Sequence, residues 1–304
     1  MNRLKKWLYQ WGVLRPYQRV DIPRYLKRLR GQAPDPGDQW YCSQKDRLQD
    51  GGGEVLVRGR FRQAAFWLYC DPGIPVELKV LRGRGSYDPQ ALELIADLAP
   101  EGSLLLDIGG NIGSIAIPAA LARPDLTLHC FEPNPHASRR FRRNLSLNPR
   151  AANLELFEQA VGASQGQQCF HAYTGVNLGD GSFIACPRAK VPEEKIMAQV
   201  VTLDALYLER PQPVGLVKID VQGAENQVLA GGRELIARHR PPILLEHEDL
   251  NFGDPGAAAQ AKQALAEFFG SLNYRVFYQT HYGPELWLPA RWDRPLNGDL
   301  IALP

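Results

Sequence analysis

The chain has 304 residues, of which 44% are hydrophobic and 22% are charged. These fractions are typical of globular chains and exclude disordered, collagen-like and fibrous proteins. The 35 basic and 33 acidic side chains nearly balance, so the composition does not indicate a nucleic-acid-binding protein. The length suits one large domain, or one domain with a small extension.

The first thirty residues are strongly basic, because they contain nine lysines and arginines and one acid, Asp21. The overall charge of +2 is therefore the sum of +8 in residues 1–30 and −6 in the rest. Trp7, Trp11 and Tyr25 lie among the basic residues. Two interpretations are open: an arm that makes a peripheral membrane contact through anionic headgroups, and an ordinary helix with lysines along its surface.

The segments that would indicate secretion or a membrane span, and the cysteines, form no recognisable pattern. Residues 1–13 lack the sustained apolar segment and the cleavage site of a secretory signal. The longest apolar run, Ile115 to Ala122, is too short to span a bilayer and is typical of a core helix. Five scattered cysteines predict neither a disulfide framework nor a zinc ribbon. We therefore expect a cytoplasmic protein without a metal site.

The N-terminal part contains turn-rich and strand-like segments. Residues 31–53 are rich in glycine and proline, which predicts a loop or linker. Three short apolar runs, 55–57, 64–69 and 76–80, predict small antiparallel strands that could act as a lid. We therefore assign residues 1–85 to a basic arm with a small strand-rich extension.

From residue 86 onward, strands alternate with helices. Helices are predicted at 89–98, 112–122, 135–147 and 224–238, and strands at 104–106, 126–131, 154–157, 214–219 and 242–246. This order predicts an α/β fold with a doubly wound, Rossmann-like and mostly parallel sheet. Strands at 274–279 and 299–303 predict a closing antiparallel pair, with a candidate third strand at 284–288. Residues 86–304 form the main predicted domain.

A glycine-rich turn follows the first predicted strand of this domain. The strand ends in Asp107, and Gly109, Gly110, Asn111 and Gly113 follow before a helix. Glycines let the backbone approach a ligand, and a helix N-terminus offers free N–H groups. The turn therefore predicts a site for a nucleoside-bearing cofactor.

A second acidic residue, Glu132, follows the next strand, where a carboxylate can accept hydrogen bonds from both ribose hydroxyls. The turn has the pattern D-x-G-x-N-x-G and no Lys-Ser/Thr phosphate grip, which favours S-adenosylmethionine over NAD or ATP. Anionic Asp107 would repel a phosphate and suits a cationic ligand. The alternative for Asp107 and Glu132 is helix capping and turn chemistry.

Five blocks of the sequence resemble the FkbM family of class I S-adenosylmethionine-dependent methyltransferases, and they occur in the family's order. The resemblance spans roughly residues 86–304 and does not cover the first eighty-odd residues. The blocks are DIGGNIG at 107–113, FEPNP at 131–135, AVG at 160–162, VTLD at 201–204 and KIDVQGAE at 218–225.

The resemblance implies roles for individual residues. The methionine side of the cofactor would lie against Asp107, Gly109, Asn111 and Gly113, the ribose against Glu132, and the adenine against Gln159 and Ala160. Four further residues complete the predicted cofactor set: Tyr87, Gly110, Pro133 and Asn134. Asp220 would face both the transferable methyl group and the acceptor.

The sequence departs from the family at two positions. Gly110 replaces the usual alanine, which we expect to be sterically mild. Gln222 replaces a glutamate, and because an amide does not titrate near neutrality, Gln222 is assigned no proton transfer.

Methyl transfer to a hydroxyl is an in-line displacement that also requires removal of a proton. Asp220 and His247 are the candidate bases, and Lys218 could pair with Asp220 or steer an anionic acceptor. The alternatives are that Asp220 caps the helix near Ala224, that Lys218 serves only in ion pairing, and that His247 is a solvated surface group.

These features together predict a methyltransferase that acts on a hydroxyl oxygen of a small molecule, such as a sugar, a polyketide or another specialised metabolite. The oxygen acceptor rests on the family resemblance alone. Two alternatives stay open: an N- or carboxyl-methyltransferase that acts on a peptide, and a non-catalytic scaffold that binds S-adenosylmethionine.

Overall fold

The computed structural model describes residues 55–71, 74, 77, 80, 87–173, 181–183, 193–280 and 288–304. The basic arm and the predicted linker at 31–53 lie outside the described residues. In chain order the elements are β1 (Val55–Phe61), β2 (Ala64–Cys70), α1 (Pro89–Leu98), β3 (Leu104–Ile108), α2 (Ala116–Ala122), β4 (Thr127–Phe131), α3 (Pro135–Ser146), β5 (Leu154–Phe157), β6 (Ala160–Val161), β7 (Gly166–Tyr173), β8 (Glu193–Val201), α4 (Leu203–Tyr207), β9 (Val214–Ile219), α5 (Glu225–Gly231), α6 (Arg233–His239), β10 (Ile243–Glu248), α7 (Pro255–Ser271), β11 (Arg275–Thr280), β12 (Leu288–Pro289) and β13 (Asn297–Leu303).

The main sheet of the described residues has eight strands in the order β5-β4-β3-β9-β10-β13-β11-β12. Within this sheet, β5, β4, β3, β9 and β10 run parallel to one another, and β13 lies antiparallel between β10 and β11. The predicted mostly parallel sheet with a closing antiparallel pair is thus confirmed. The strand order reverses between β3 and β9, where ligands bind in doubly wound sheets.

Local sequence signals explain several helix boundaries. Asp88 caps α1 by accepting hydrogen bonds from the backbone N–H groups of Gln90 and Ala91. Asn134 caps α3 in the same way through the N–H of His136, and a proline follows each cap. Both helices lie where the sequence predicts them.

Three predicted elements were wrong in detail. Helix 112–122 begins only at Ala116, since Asn111 and Gly113 have positive φ angles. Helix 224–238 divides into α5 and α6 around Gly231 and Gly232, where a Cβ on Gly231 would lie 2.0 Å from the carbonyl oxygen of Gly162. Of the segment predicted as a strand at 76–80, the structure describes Glu77 and Val80, and the backbone is helical at both.

Alternating residues of the central strands serve two hydrophobic cores, one on each face of the sheet. In β3, Leu105 packs with α1, α2 and Phe141 of α3, whereas Leu104 and Leu106 pack with α4 to α7. Both faces are therefore covered, as a parallel sheet requires. No helix of the described residues has the length and apolar content needed to cross a bilayer.

The hairpin β1–β2 packs against the first of these cores. Phe66 and Leu68 are buried, and the edge of β2 is satisfied by two asparagines of α3 and the turn after it. Tyr69 N–H donates to Asn144 Oδ1 at 2.7 Å, and Trp67 N–H donates to Asn148 Oδ1 at 2.9 Å. This hairpin, one part of the lid considered from the sequence, is thus packed on the helical layer.

Candidate active site

Two cavities meet at the point where the strand order reverses. The first, of about 550 Å³, opens beside the glycine-rich turn and extends to Glu132, Gln159 and Phe183. The second, of about 490 Å³, lies between α1 and the ends of β9, β10 and β13. Asp220, directly after β9, lines both cavities. It is therefore placed where two bound molecules would meet.

The backbone N–H groups of the glycine-rich turn donate hydrogen bonds to acceptors within the protein. Gly109 and Gly110 N–H both donate to the carbonyl of Phe131, at 2.9 and 3.0 Å, and Gly113 N–H donates to Gly110. Asn111 N–H donates to Glu132 Oε2 at 2.8 Å. These four N–H groups are therefore not free for a phosphate, which corrects the expectation drawn from a helix N-terminus.

Steric constraints explain two of the glycines. Gly109 has φ of +87°, and a Cβ there would lie 1.8 Å from the backbone oxygen of Asp220. The turn can thus approach the end of β9 only with glycine at this position. A Cβ at Gly110 would lie 2.9 Å from the buried ring of Phe141, so an alanine requires the ring to move. The exchange of glycine and alanine at position 110 therefore has a larger steric effect than the sequence led us to expect.

Glu132 joins the turn to the next strand. Its two carboxylate oxygens accept hydrogen bonds from Asn111 N–H and Asn134 N–H, both at 2.8 Å. Burial raises its pKa to about 7 despite these bonds. The turn chemistry considered from the sequence is therefore present, but Glu132 also lines the first cavity, and a carboxylate has lone pairs for further donors.

The far end of the first cavity has an apolar wall that the sequence did not reveal. Pro133, Gln159 and Ala160, which the resemblance assigns to the cofactor, line it together with Phe170 and Phe183, whose rings meet edge to face at 5.5 Å. Both phenylalanines belong to an irregular region of sequence without a recognisable motif. The predicted residue Asn134 is fully buried and caps α3.

Lys218 lies between two carboxylates at the bottom of the site. Its Nζ is 3.0 Å from Asp107 Oδ1 and 3.8 Å from Asp220 Oδ2. Burial alone would lower the pKa of Lys218, but the two carboxylates raise it above its ordinary value. Burial raises the pKa of Asp107, and Lys218 opposes that rise. The predicted pairing of Lys218 with Asp220 is present, and Asp107 is its nearer partner.

Asp220 is held by the loop that follows it. Gln222 Nε2 donates to Asp220 Oδ1 at 2.7 Å, and Asn251 Nδ2 donates to Gln222 Oε1 at 3.4 Å, which orients the amide. Gln222 adopts a left-handed conformation with φ of +53°. Ala224, not Asp220, is the cap residue of α5, and it makes no side-chain capping bond. The capping alternative for Asp220 is therefore wrong.

The second cavity is rich in carboxylates. Asp88, Asp220, Glu246 and Asp299 line it with Lys218, and Glu246 lies opposite Asp299 in the β10–β13 register. Burial, with a contribution from Asp299, raises the pKa of Asp88 to about 6. Tyr87, predicted to bind the cofactor, lines this cavity and not the first.

His247, the other candidate base, does not join Asp220. Its side chain is fully buried and lines neither cavity. Its Nε2 lies 3.3 Å from Asp249 Oδ1, and its Nδ1 lies 3.7 Å from Glu225 Oε2. It is therefore not the solvated surface group considered from the sequence. Among the described residues, no group of three or more His, Cys, Asp or Glu side chains is arranged to hold a metal ion.

Comparison with known proteins decides the family. The sequence model of the methyltransferase FkbM domain matches residues 107–276, which begin at the glycine-rich turn and end in β11. The chain belongs to the FkbM methyltransferase family. Its FkbM domain includes Glu132 of the first cavity, Lys218 of the second, and Asp220, which lines both.

Two curated relatives place this FkbM domain among named enzymes. The 2-O-methyltransferase NoeI of Sinorhizobium fredii is 32% identical over 225 residues, which cover 69% of this chain and 82% of the relative. The 31-O-demethyl-FK506 methyltransferase FkbM of Streptomyces tacrolimicus is 28% identical over 156 residues, which cover 43% of this chain and 59% of the relative. A crystal structure of methyltransferase FkbM from Methylobacillus flagellatus KT is 16% identical with a TM-score of 0.43, and the match covers 75% of this chain and 52% of that one.

Proposed function

We propose that this FkbM-family protein transfers a methyl group from S-adenosylmethionine to a hydroxyl oxygen of a small molecule. The observation that carries the proposal is the charge of the first cavity: its described lining residues include the carboxylates Glu132 and Asp220, and no lysine or arginine is among them. The amides of Gly109, Gly110, Asn111 and Gly113 already donate within the protein, so these four N–H groups do not offer a pyrophosphate site. A cationic sulfonium cofactor suits such a cavity.

Two buried acceptor atoms support the same cofactor. Asp107 Oδ2 and Asn111 Oδ1 are buried and have no hydrogen-bond partner. A buried acceptor without a donor is costly, so such an atom indicates that a bound group supplies the donor. The ammonium group of S-adenosylmethionine offers N–H donors, and its ribose hydroxyls suit the remaining lone pairs of Glu132.

When bound, S-adenosylmethionine supplies a methyl group on a positively charged sulfur, which becomes a neutral thioether on transfer. In the protein, Asp220 accepts the proton of the acceptor hydroxyl as its oxygen forms the new bond to carbon. Asp220 suits this role because its carboxylate lies at the junction of the cavities. The walls of the two cavities align the reactants, and alignment supplies much of the rate in a displacement of this kind.

Lys218 and Gln222 keep Asp220 in a productive state. Lys218 Nζ lies 3.8 Å from Asp220 Oδ2 and restrains the position of the carboxylate. Gln222 donates to the other oxygen of the carboxylate and fixes its plane. Oδ2 thereby stays available to the acceptor.

The choice of oxygen as acceptor is supported by the relatives. NoeI is named as a 2-O-methyltransferase, and the relative FkbM is named as a methyltransferase of a 31-O-demethyl compound. The carboxylates around the second cavity can accept hydrogen bonds from hydroxyl groups of a polyhydroxylated acceptor. This cavity is the proposed acceptor site.

The test is turnover with methyl-labelled S-adenosylmethionine and a panel of sugars and hydroxylated metabolites. We expect label transfer by the wild type and a loss of about 10²- to 10⁴-fold in kcat for Asp220→Asn. Asp220→Asn should still bind S-adenosylhomocysteine, whereas Asp293→Asn, a change of the same chemistry at an exposed site, should keep full turnover. Full turnover by Asp220→Asn would refute the role of Asp220 as the base.

A further inference from the structure

The outer face of the hairpin β1–β2 combines arginines with aromatic rings. In each strand alternate residues point inward, and Val57, Phe66 and Leu68 are buried in the core. The outward residues include exposed Arg58 and Arg60, with half-buried Trp67 and Tyr69 on the neighbouring strand. Arg58 lies directly opposite Trp67 in the register.

Helix α3 extends this face. The guanidinium carbon of Arg143 lies 3.7 Å from the ring centre of Tyr69, and that of Arg58 lies 5.7 Å from the ring centre of Trp67. Both distances are within the range of cation–π contacts. Because α3 also binds the edge of β2 through Asn144, the hairpin and the helix form one continuous surface.

This surface has an unusual charge. Residues 55–70 and 135–150 together contain eight arginines and no acidic residue. Three of the arginines reach carboxylates from other parts of the fold: Arg62 with Glu93 and Asp97, Arg140 with Glu77, and Arg142 with Glu158. Besides Arg142, five arginines of the two segments are exposed, and we call these five the arginine face: Arg58, Arg60, Arg139, Arg143 and Arg150.

We propose that the arginine face, with Trp67 and Tyr69, docks the protein on an anionic phospholipid surface. Arginine offers several N–H donors to lipid phosphates, and Trp and Tyr favour the boundary between headgroups and acyl chains. One face of each ring lies against a guanidinium group, which hinders the stacking of nucleic-acid bases, whereas contact with lipid headgroups does not require an open ring face. A lipid surface therefore fits better than a single-stranded nucleic acid.

The sequence before the hairpin strengthens the proposal. The 54 residues outside the described part join the fold at Val55, the first residue of β1. Residues 1–30 of that segment carry a charge of +8 and precede the hairpin in the sequence. Electrostatic attraction by both regions would act on the same membrane, and this role is independent of the proposed methyl transfer.

The experiment measures sedimentation of the full-length protein with vesicles of phosphatidylcholine, with and without phosphatidylserine. We expect binding only to the vesicles that contain phosphatidylserine. Binding should weaken strongly when the salt concentration rises from about 0.1 M to about 1 M, because the Debye length falls from about 10 Å to about 3 Å.

The decisive variant is Arg58→Ala/Arg60→Ala/Arg143→Ala. A basic residue close to an anionic surface contributes about fivefold to binding, so the triple change should reduce the partition coefficient about 100-fold. The matched control is Arg233→Ala/Arg238→Ala/Arg291→Ala, which removes the same charge from exposed positions outside the hairpin and α3. The control should retain wild-type binding to within a few fold. Thermal unfolding and S-adenosylhomocysteine binding establish that both variants are folded.

Three results would overturn the proposal. The first is equal binding to neutral and anionic vesicles. The second is equal loss of binding in the two triple variants, which would show that only net charge matters. The third is preference for single-stranded RNA over phosphatidylserine vesicles in competition, which would assign the arginine face to nucleic acid.

Discussion

The ammonium group of Lys218 lies 3.0 Å from the carboxylate of Asp107, and these residues face each other in register on neighbouring strands β9 and β3. Asp107 is almost completely buried, and its second oxygen has no partner. The pair therefore connects the glycine-rich turn to the strand that ends in Asp220. We expect it to contribute to both stability and cofactor binding.

Lys218→Met should destabilise the fold by about 3–5 kcal/mol, because it leaves Asp107 as an unpaired buried charge. Urea unfolding measures this loss. In the double variant Asp107→Asn/Lys218→Met the buried charge is removed as well, so its free energy of unfolding should exceed that of Lys218→Met alone. If the effects of the two single changes add, the pair is not coupled.

Gly109→Ala should be more harmful than Gly102→Ala. Both glycines have positive φ, so each alanine costs about 1–2 kcal/mol from the backbone alone. A Cβ at Gly102 meets nothing within 4 Å, whereas one at Gly109 meets the backbone oxygen of Asp220 at 1.8 Å. Thermal unfolding and S-adenosylhomocysteine affinity should therefore be more impaired in Gly109→Ala. Equal losses in the two variants would contradict the close approach of the turn to β9.

The affinity for S-adenosylhomocysteine should increase with pH through about 7. The pKa of Glu132 is raised from 4.5 to about 7, mainly by burial. At about pH 6 only about a tenth of Glu132 is ionised, and only the ionised carboxylate can accept hydrogen bonds from the ribose with all its lone pairs. The affinity for S-adenosylhomocysteine should therefore be about tenfold lower at about pH 6 than at about pH 8. Calorimetry at several pH values measures this dependence, and Glu132→Gln should abolish it.

The raised pKa of Glu132 has the opposite effect on the stability of the unliganded protein, which should decrease as the pH rises. Because the folded state retains the proton to a higher pH than the unfolded state, the stability that Glu132 contributes is fully present below about pH 4.5. It is lost as the pH rises through about 7. A free energy of unfolding whose pH dependence is unchanged in Glu132→Gln would contradict the raised pKa.

Gln222→Glu should shift the pH dependence of turnover. The new carboxylate would lie within hydrogen-bond distance of Asp220, where Gln222 Nε2 is now 2.7 Å from Oδ1, and two such carboxylates cannot both ionise readily. The acid limb of the kcat/KM profile should therefore move to higher pH. Gln222→Met removes the donor without adding a charge, so it should lower kcat with little shift. Superimposable profiles of Gln222→Glu and wild type would show that Gln222 does not govern Asp220.

The parallel sheet and its acidic strand ends could be predicted because they depend on local patterns. Buried strands followed by Asp107, Glu132 and Asp220 are visible as apolar runs with an acid at the end, and parallel strands bring such ends to one edge. The bounds of α1 were likewise predicted, since its apolar residues recur at helical spacing from Pro89 to Leu98.

Features that depend on contacts between distant segments could not be predicted. The edge-to-face pair of Phe170 and Phe183 forms because strand β7 and residues 181–183 meet beside the first cavity. The turn that delays the start of α2 contains a hydrogen bond from Asn111 N–H to Glu132, which lies 21 residues away. His247 is similarly buried by packing against Glu225 and Phe252, which no local pattern near the histidine indicates.

The central claim is that the first cavity binds a sulfonium nucleoside and not a nucleotide with phosphates. Isothermal titration calorimetry of the wild type with S-adenosylhomocysteine and, separately, with NAD tests it most directly. We predict binding of S-adenosylhomocysteine, no detectable heat with NAD, and loss of binding in Glu132→Ala but not in Glu155→Ala, which changes an exposed carboxylate on the neighbouring strand. Absence of S-adenosylhomocysteine binding, or tighter binding of NAD, would contradict the claim.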